Sequence, residues 1–386
     1  MTSDSRNAGR SQVRWSKVIC KQPGNYIGWP TVGRTADGDL LVAFSGDREA
    51  HRGPYGKNQI VRSGDAGDTW SDPETINSTP LDDRDTGLLV TSLGTVVMSW
   101  FTGTSWRPRN LQPYWEDLPE YTFEAWRRHT GKISEEVRDR WHGHWTRRST
   151  DGGRSWEPQA DSIGSSPHGP VQLGDGRLLY VGTANRDGSR SLVSVESTDD
   201  GQSWQQIGTI PTPPEFGDEL PYSEPHAVET ADGRIVSLWR YGPKTRKADR
   251  CTCYINSVGY CTCDSDDSEH YMHQSESLDG GRTWTVPHLT SIWGYPPHLI
   301  RLQDGALLVT YGRRWEPRGQ RACLSFDQGK TWDPDNEIVL RDDAPNGNLG
   351  YPATIELEPG ELLTVYYQEE HLGEKTSLMA TRWSLG

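Results

Sequence analysis

The chain repeats one hydrophobic and polar pattern six times. Short alternating segments meet at a glycine turn in Thr31–Phe44, Gly87–Trp100, Val171–Gly182, Ala227–Trp239, Leu299–Gly312 and Ala353–Tyr367. Each segment reads as two strands joined by a tight hairpin, with turn glycines Gly38, Gly94, Gly176, Gly233, Gly305 and Gly360. Five of the hairpins are followed by a second motif, Ser-x-Asp-x-Gly-x-Ser/Thr-Trp. It occurs at Ser63–Trp70, Ser149–Trp156, Ser197–Trp204, Ser277–Trp284 and Ser325–Trp332. In this motif Asp accepts hydrogen bonds from nearby backbone N–H groups, Gly takes a positive φ, and Trp packs the turn against a sheet. Its role is therefore structural. Six units of four strands predict an all-β chain, a six-bladed β-propeller over residues 1–386. The sixth unit lacks the motif but ends in Met379–Trp383, and the early segment Val13–Ile19 is expected to close the ring.

Composition narrows the partners. The chain has 386 residues, a formal net charge of −14, 33% hydrophobic and 10% aromatic residues, with Gly 41, Pro 25 and Trp 17. A net negative chain is a poor match for nucleic acid, because phosphate neutralisation needs a basic surface. No apolar run approaches the ~18 residues of a membrane span. The first thirteen residues lack the apolar stretch of a secretory leader, so a cytoplasmic protein is expected, an exported form staying open.

Strand parity selects the working face. If each first strand runs from the top of the central channel to the bottom, both kinds of turn lie at the bottom. The starts of the first strands and the loops between second and third strands then lie at the top. Those loops are long in blades 2 and 4, with insertions over about 103–144 and about 243–272. Long loops on a rigid scaffold are commonly functional. The first-strand starts bring Tyr26, Trp29, Asp83, Arg84, Asp85, His168, Glu224, His226, Tyr295, His298 and Tyr351 to the channel mouth. The second-strand ends add Arg48, Glu49, His51, Arg240, Arg313 and Arg314. Aromatic faces suit sugar rings, and guanidinium forks suit carboxylates or hydroxyls, so a polar carbohydrate ligand is expected.

At these residues the sequence resembles the sialidase (neuraminidase) superfamily, six-bladed propellers with the same Asp-containing turns. The likeness extends over essentially the whole chain. Glu224-Pro225-His226 followed by Arg240, and Gly350-Tyr351-Pro352 followed by Tyr366-Tyr367, are similar to the family's blades 4 and 6. The resemblance implies an exo-acting glycoside hydrolase with Tyr351 as nucleophile, Glu224 as the base that activates it, and Arg240 binding a carboxylate. Arg314 is the nearest match to a further arginine, with Arg313 and Arg321 as rivals. Arg48, Arg84, Trp29, Tyr295, His168, His226 and His298 complete the expected substrate contacts. Two departures stand out. Blade 1 opens with Tyr26-Ile27-Gly28-Trp29-Pro30, without the family's first arginine, and no Asp follows Arg48 where the family's acid/base residue lies. His51, Glu49 or Asp85 is expected to supply that function. A non-acidic sugar, a non-catalytic glycan-binding propeller, and a polysaccharide lyase using a His/Tyr pair are the alternatives.

The blade-2 insertion predicts a short helix over Ile133–Trp141 and reads as a wall over the top face, an oligomer contact or plain packing. The blade-4 insertion holds Cys251, Cys253, Cys261 and Cys263, a set suited to a structural zinc, to disulfides or to free thiols. No cofactor is expected for catalysis. Cys20 and Cys323 read as buried small hydrophobes.

Overall fold

The computed structural model describes residues 11–104, 118–186, 189–217, 220–242 and 270–386. The four clustered cysteines, and most of the blade-4 insertion, lie outside the described residues.

Blade 1 consists of β2 (Tyr26–Arg34), β3 (Leu40–Arg48), β4 (Lys57–Ser63) and β5 (Glu74–Asn77), all antiparallel and in chain order, after β1 (Gln12–Cys20). Blade 2 has β6 (Asp82–Val90), β7 (Val96–Gly103), β8 (Gly143–Ser149) and β9 (Ala160–Asp161). Blade 3 has β10 (Val171–Gln172), β11 (Leu178–Arg186), β12 (Ser189–Ser197) and β13 (Gln205–Thr209). Blade 4 has β14 (Tyr222–Glu229), β15 (Ile235–Tyr241), β16 (Tyr271–Ser277) and β17 (His288–Trp293). Blade 5 has β18 (Pro297–Arg301), β19 (Leu307–Arg313), β20 (Gly319–Ser325) and β21 (Ile338–Arg341). Blade 6 has β22 (Gly350–Glu358), β23 (Glu361–Gln368) and β24 (Ser377–Ser384), and takes β1 as its outer strand, paired from Gln12–Ser384 to Cys20–Leu378. The ring is thus closed by the two ends of the described chain, as the sequence predicts.

The core is distributed between blades. Leu40, Val42, Phe44 and Val61 of blade 1 pack on Leu363, Val365 and Ala380 of blade 6, and the blade 4–5 seam packs Val236, Leu238 and Met272 on Leu307 and Val309. The repeated turn helps to make each seam. Ser63 Oγ accepts from Gly67 N (2.9 Å), and Asp65 accepts from Thr69 N (2.8 Å) and Thr69 Oγ1 (2.6 Å). Gly67 needs φ +95° to close this loop, a conformation that costs a side-chain-bearing residue energy. The turn's tryptophan then leans on the preceding blade: Trp332 Nε1 donates to Gln274 Oε1 (2.8 Å) and Trp204 Nε1 to Thr146 Oγ1 (2.8 Å). Trp70 and Trp284 donate instead to Gly67 O and Gly281 O of their own turns (3.1 and 2.9 Å) and, with Trp156, reach the seams by packing, while all five aspartates bond their own turns.

The described part of the blade-2 insertion carries two helices. The predicted one is α2 (Glu135–Trp141), capped by Ser134, whose Oγ accepts from Val137 N at 3.2 Å. The sequence reading missed the longer α1 (Glu120–Thr130), which begins at Pro119 without a side-chain cap. Its Trp126 is fully buried against Ala50 and Tyr55, and His129 Nε2 meets Pro80 O at 2.7 Å. The helix thus backs the blade-1 loop that carries Glu49 and His51. Cys20 and Cys323 are both buried.

Candidate active site

Four innermost strands open on the same irregularity. Trp29, Asp85, Glu224 and Tyr351 have φ of +56°, +57°, +50° and +51°. Each sits inside a register shift: Gly28 to Thr31, Arg84 to Gly87, Ser223 to His226, and Gly350 to Ala353. A bulge of this kind breaks the strict alternation of a strand and re-aims a side chain. Left-handed backbone at non-glycine residues costs of order 1–3 kcal/mol each and concentrates at functional sites. Blades 1, 2, 4 and 6 thus spend stability on pointing one residue each toward the channel mouth.

Those residues meet. Tyr351 Oη donates to Glu224 Oε1 at 2.7 Å, although 127 positions separate them in sequence. The other oxygen, Glu224 Oε2, accepts from Arg240 Nη1 at 2.7 Å. Burial alone would raise the Glu224 carboxyl, but the charge and hydrogen bond of Arg240, the bond from Tyr351 and the charge of Arg314 outweigh it and hold the group below its ordinary range. The Arg240 and Arg314 guanidiniums lie 4.1 and 5.4 Å from the Tyr295 ring centre, and Arg314 is 5.8 Å from that of Tyr351. Tyr295 is therefore a platform that aims both arginines. Of the rivals, Arg321 is buried on Glu337, and Arg313 lies 4.5 Å from the Trp293 ring centre.

Blade 1 offers an aromatic wall in place of an arginine. Trp29 is 6.4 Å from Tyr351 and 5.0 Å from His51, ring centre to ring centre. Positive charge enters instead from blade 2, where the Arg84 guanidinium is 5.6 Å from the Trp29 ring centre and 5.0 Å from that of Phe101. Arg84 Nε is 3.8 Å from Asp85 Oδ1. Asp85 is pushed up to about 6, chiefly by burial and further by Glu224, against the pull of Arg84. Arg84, Asp85, Arg240 and Glu224 keep 13–20% of their side-chain surface exposed, so all four reach open space. Among the described residues, Arg84, Arg240 and Arg314 face Asp85 and Glu224 here, an excess of positive charge on a chain of net charge −14.

Several expected contacts turn out to have other roles. Arg48 is 1% exposed and forks onto Asp82 (Nη1–Oδ1 2.6 Å, Nη2–Oδ2 3.1 Å), so it braces the loop of His51 and faces no open site. Glu49 accepts from Tyr55 at 2.9 Å, on the side covered by α1. Asp83 is buried under bonds from Thr79 N, Thr79 Oγ1 and Thr102 Oγ1. The three histidines are buried fillers of the channel. His226 and His298 stack at 4.5 Å and each lies within 5.7 Å of His168. His226 Nδ1 accepts from Leu299 N (2.9 Å) and His298 Nδ1 from Thr354 N (3.2 Å), tying blade 4 to 5 and blade 5 to 6. Among the described residues no group of three or more His, Cys, Asp or Glu is placed to hold a metal ion, and no helix is long and apolar enough to cross a membrane.

The histidine trio carries a pH prediction. Burial lowers all three, His226 to about 3, below the ordinary value near 6.5. Between those two pH values the unfolded chain takes up protons that the native channel refuses. Their stabilising contribution is therefore whole above about pH 6.5 and falls as pH drops toward 3. Asp83, raised by burial to about 7, and Asp85 push the opposite way, so the test is a difference. The urea midpoint of a His226→Gln variant is expected to fall less between pH 7.5 and 5.0 than that of the parent. Equal changes would contradict the assignment.

The comparisons agree with this architecture. A family profile described as a BNR repeat-like domain matches residues 239–364. No curated protein matches the sequence. Among solved structures, a protein of unknown function from Dyadobacter fermentans is similar, with 22% identity, a TM-score of 0.72 and coverage of 97% of this chain and 99% of that one. The intramolecular trans-sialidase from Ruminococcus gnavus has 16% identity, a TM-score of 0.62, and coverage of 96% and 97%. An α-L-arabinofuranosidase from Fusarium graminearum has 14% identity, a TM-score of 0.58, and coverage of 97% and 98%. At these identities the likeness is one of fold. The chain is a six-bladed propeller like those structures, and its residues 239–364 are similar to the BNR repeat-like domain.

Proposed function

We propose that this propeller is a glycoside hydrolase that releases a terminal, negatively charged sugar through a tyrosine nucleophile. The observation that carries the reading is the 2.7 Å bond from Tyr351 Oη to a Glu224 carboxylate whose second oxygen is held by Arg240. That is a nucleophile, its base, and a group orienting the base, within hydrogen-bond reach of one another. Tyr351 Oη attacks the anomeric carbon while its proton passes to Glu224. The bond to the leaving oxygen breaks, and that oxygen takes a proton from Asp85. Water, deprotonated by Asp85, then displaces the tyrosine, and Glu224 returns the proton. Glu224 is a weak base when held by Arg240, so its proton transfer is completed only as the new C–O bond forms.

Charge supports the substrate class. A neutral phenol meets less repulsion from an anionic sugar than a carboxylate nucleophile does. Arg84, Arg240 and Arg314 surround the reacting pair and suit a carboxylate on the sugar. Asp85 suits the proton donor because its value of about 6 leaves a useful protonated fraction near neutrality. A lyase built on the histidines is disfavoured, because His168, His226 and His298 are 1–6% exposed and the Nδ1 atoms of His226 and His298 are spent on neighbouring blades.

A panel of aryl glycosides tests the reading, with α-N-acetylneuraminide, β-glucuronide and α-L-arabinofuranoside at its centre. Turnover of an anionic member, at rates falling with added salt, is expected. Saturable sugar binding without turnover of any member would replace this reading with a non-catalytic lectin-like one.

A further inference from the structure

A buried hydrogen-bond chain runs from blade 6 to the mouth of the site, and its proton count is determined. Glu369 and Asn348 are 5% and 3% exposed, and Tyr26 is 3% exposed. Glu369 Oε2 accepts from Gly373 N at 3.0 Å, which fixes the carboxylate. Its other oxygen, Oε1, accepts from Asn348 Nδ2 at 3.3 Å. A carboxylate oxygen must face the amide's N–H₂ side, so the Asn348 orientation is set, and Oδ1 points the other way. Asn348 Oδ1 accepts from Tyr26 Oη at 2.8 Å. A phenol has one hydrogen, and this bond uses it. The contact of Tyr26 Oη with His51 Nδ1, at 2.9 Å, then has only one arrangement left: Nδ1 donates and the phenol oxygen accepts.

We infer that Tyr26, Asn348 and Glu369 are positioning residues that hold His51 in the tautomer with its hydrogen on Nδ1, which makes His51 a hydrogen-bond acceptor at Nε2 and not a proton donor. The surroundings keep the ring neutral. Burial, then the charges of Arg84, Arg52, Arg48 and Arg314, hold it well below its ordinary range. His51 as a residue is half-buried, with its ring edge-on to Trp29 at 5.0 Å. A lone pair at Nε2 accepts a hydrogen bond and gives no proton, so the sequence-based expectation of His51 as acid/base donor gives way to Asp85. The inference needs no substrate, so it stands or falls separately from the hydrolase reading.

The test is ring ¹⁵N NMR of the full chain labelled at histidine, with His51 identified by its loss in His51→Gln. The expected result is a one-bond N–H coupling at Nδ1 and a lone-pair chemical shift at Nε2. In Asn348→Leu the Tyr26 hydroxyl can no longer donate to Asn348 Oδ1, and its hydrogen is expected to turn to Nδ1 and the His51 hydrogen to move to Nε2. Tyr26→Phe, which removes a single oxygen, is expected to give a mixture of both forms. That second variant keeps the test decisive if Asn348→Leu does not fold. A hydrogen on Nε2 in the parent, or an unchanged tautomer in the variants that fold, would overturn the inference.

Discussion

Replacing Tyr351 with Phe is expected to lower kcat by about 10³-fold or more on every glycoside the protein hydrolyses, because losing a nucleophile removes the covalent route. Substrate affinity is expected to change little. The ring itself is 4% exposed and packs 5.9 Å from Tyr367, 6.2 Å from His168 and 6.4 Å from Trp29, contacts that phenylalanine retains. The lost oxygen leaves Glu224 still paired with Arg240, so no buried charge is orphaned. Steady-state kinetics, together with ligand binding to the inactive variant, separates the two effects. Full turnover by Tyr351→Phe is incompatible with the mechanism.

Asp85→Asn is expected to be the second most damaging change, and its signature is selective. General acid assistance contributes typically 10²–10⁴-fold, and that loss should appear in full on natural, poor leaving groups. On a 4-nitrophenyl glycoside, whose leaving oxygen needs little protonation, the first step should lose about tenfold at most. The alkaline limb of kcat/KM, expected near the value of about 6 set by burial and Glu224, should vanish in the variant. Stability should move the other way. A carboxyl raised in the folded state contributes stability below its unfolded value, which is lost as pH rises through about 6. Asparagine imitates the protonated form, so the variant should be more stable than the parent by about 2–3 kcal/mol at pH 7.5 and indistinguishable near pH 3. Urea unfolding at both pH values checks the sign. Such a gain in stability with a loss of activity is the mark of a strained functional residue.

The fold was legible because its signals are local and repeated. A hairpin turn and an Asp-containing turn each follow from a few adjacent residues, and neither depends on distant partners. The meeting of Glu224 with Tyr351 was legible for a different reason: the parity of a four-stranded blade fixes which strand ends share a face. A further signal was present in the sequence and went unused. Trp29-Pro30, Glu224-Pro225 and Tyr351-Pro352 each pair a left-handed residue with a following proline at the start of an inner strand. Proline has no N–H to give to the ladder, so it fits a bulge where the ladder is already broken.

What the sequence hid depends on side-chain reach across blades. Nothing adjacent to Arg48 shows that Asp82, 34 positions on, will absorb both ends of its guanidinium. The channel histidines read as ligand contacts because their backbone partners, Leu299 and Thr354, belong to neighbouring blades. Asn348 and Glu369 escaped notice for the same reason, since they act only through Tyr26. Helix α1 escaped because Pro119 offers no side-chain cap and only Thr122 and Trp126 of its residues are buried.

The nucleophilic role of Tyr351 is tested most directly by the stereochemistry of the first product. Proton NMR during the opening turnovers, before mutarotation, reads the anomeric configuration of the released sugar. Two successive displacements at one carbon, the first by Tyr351 and the second by water, predict that the product first appears with the configuration of the substrate. First appearance of the opposite anomer would mean that water attacks in a single step, and would contradict a covalent intermediate on Tyr351.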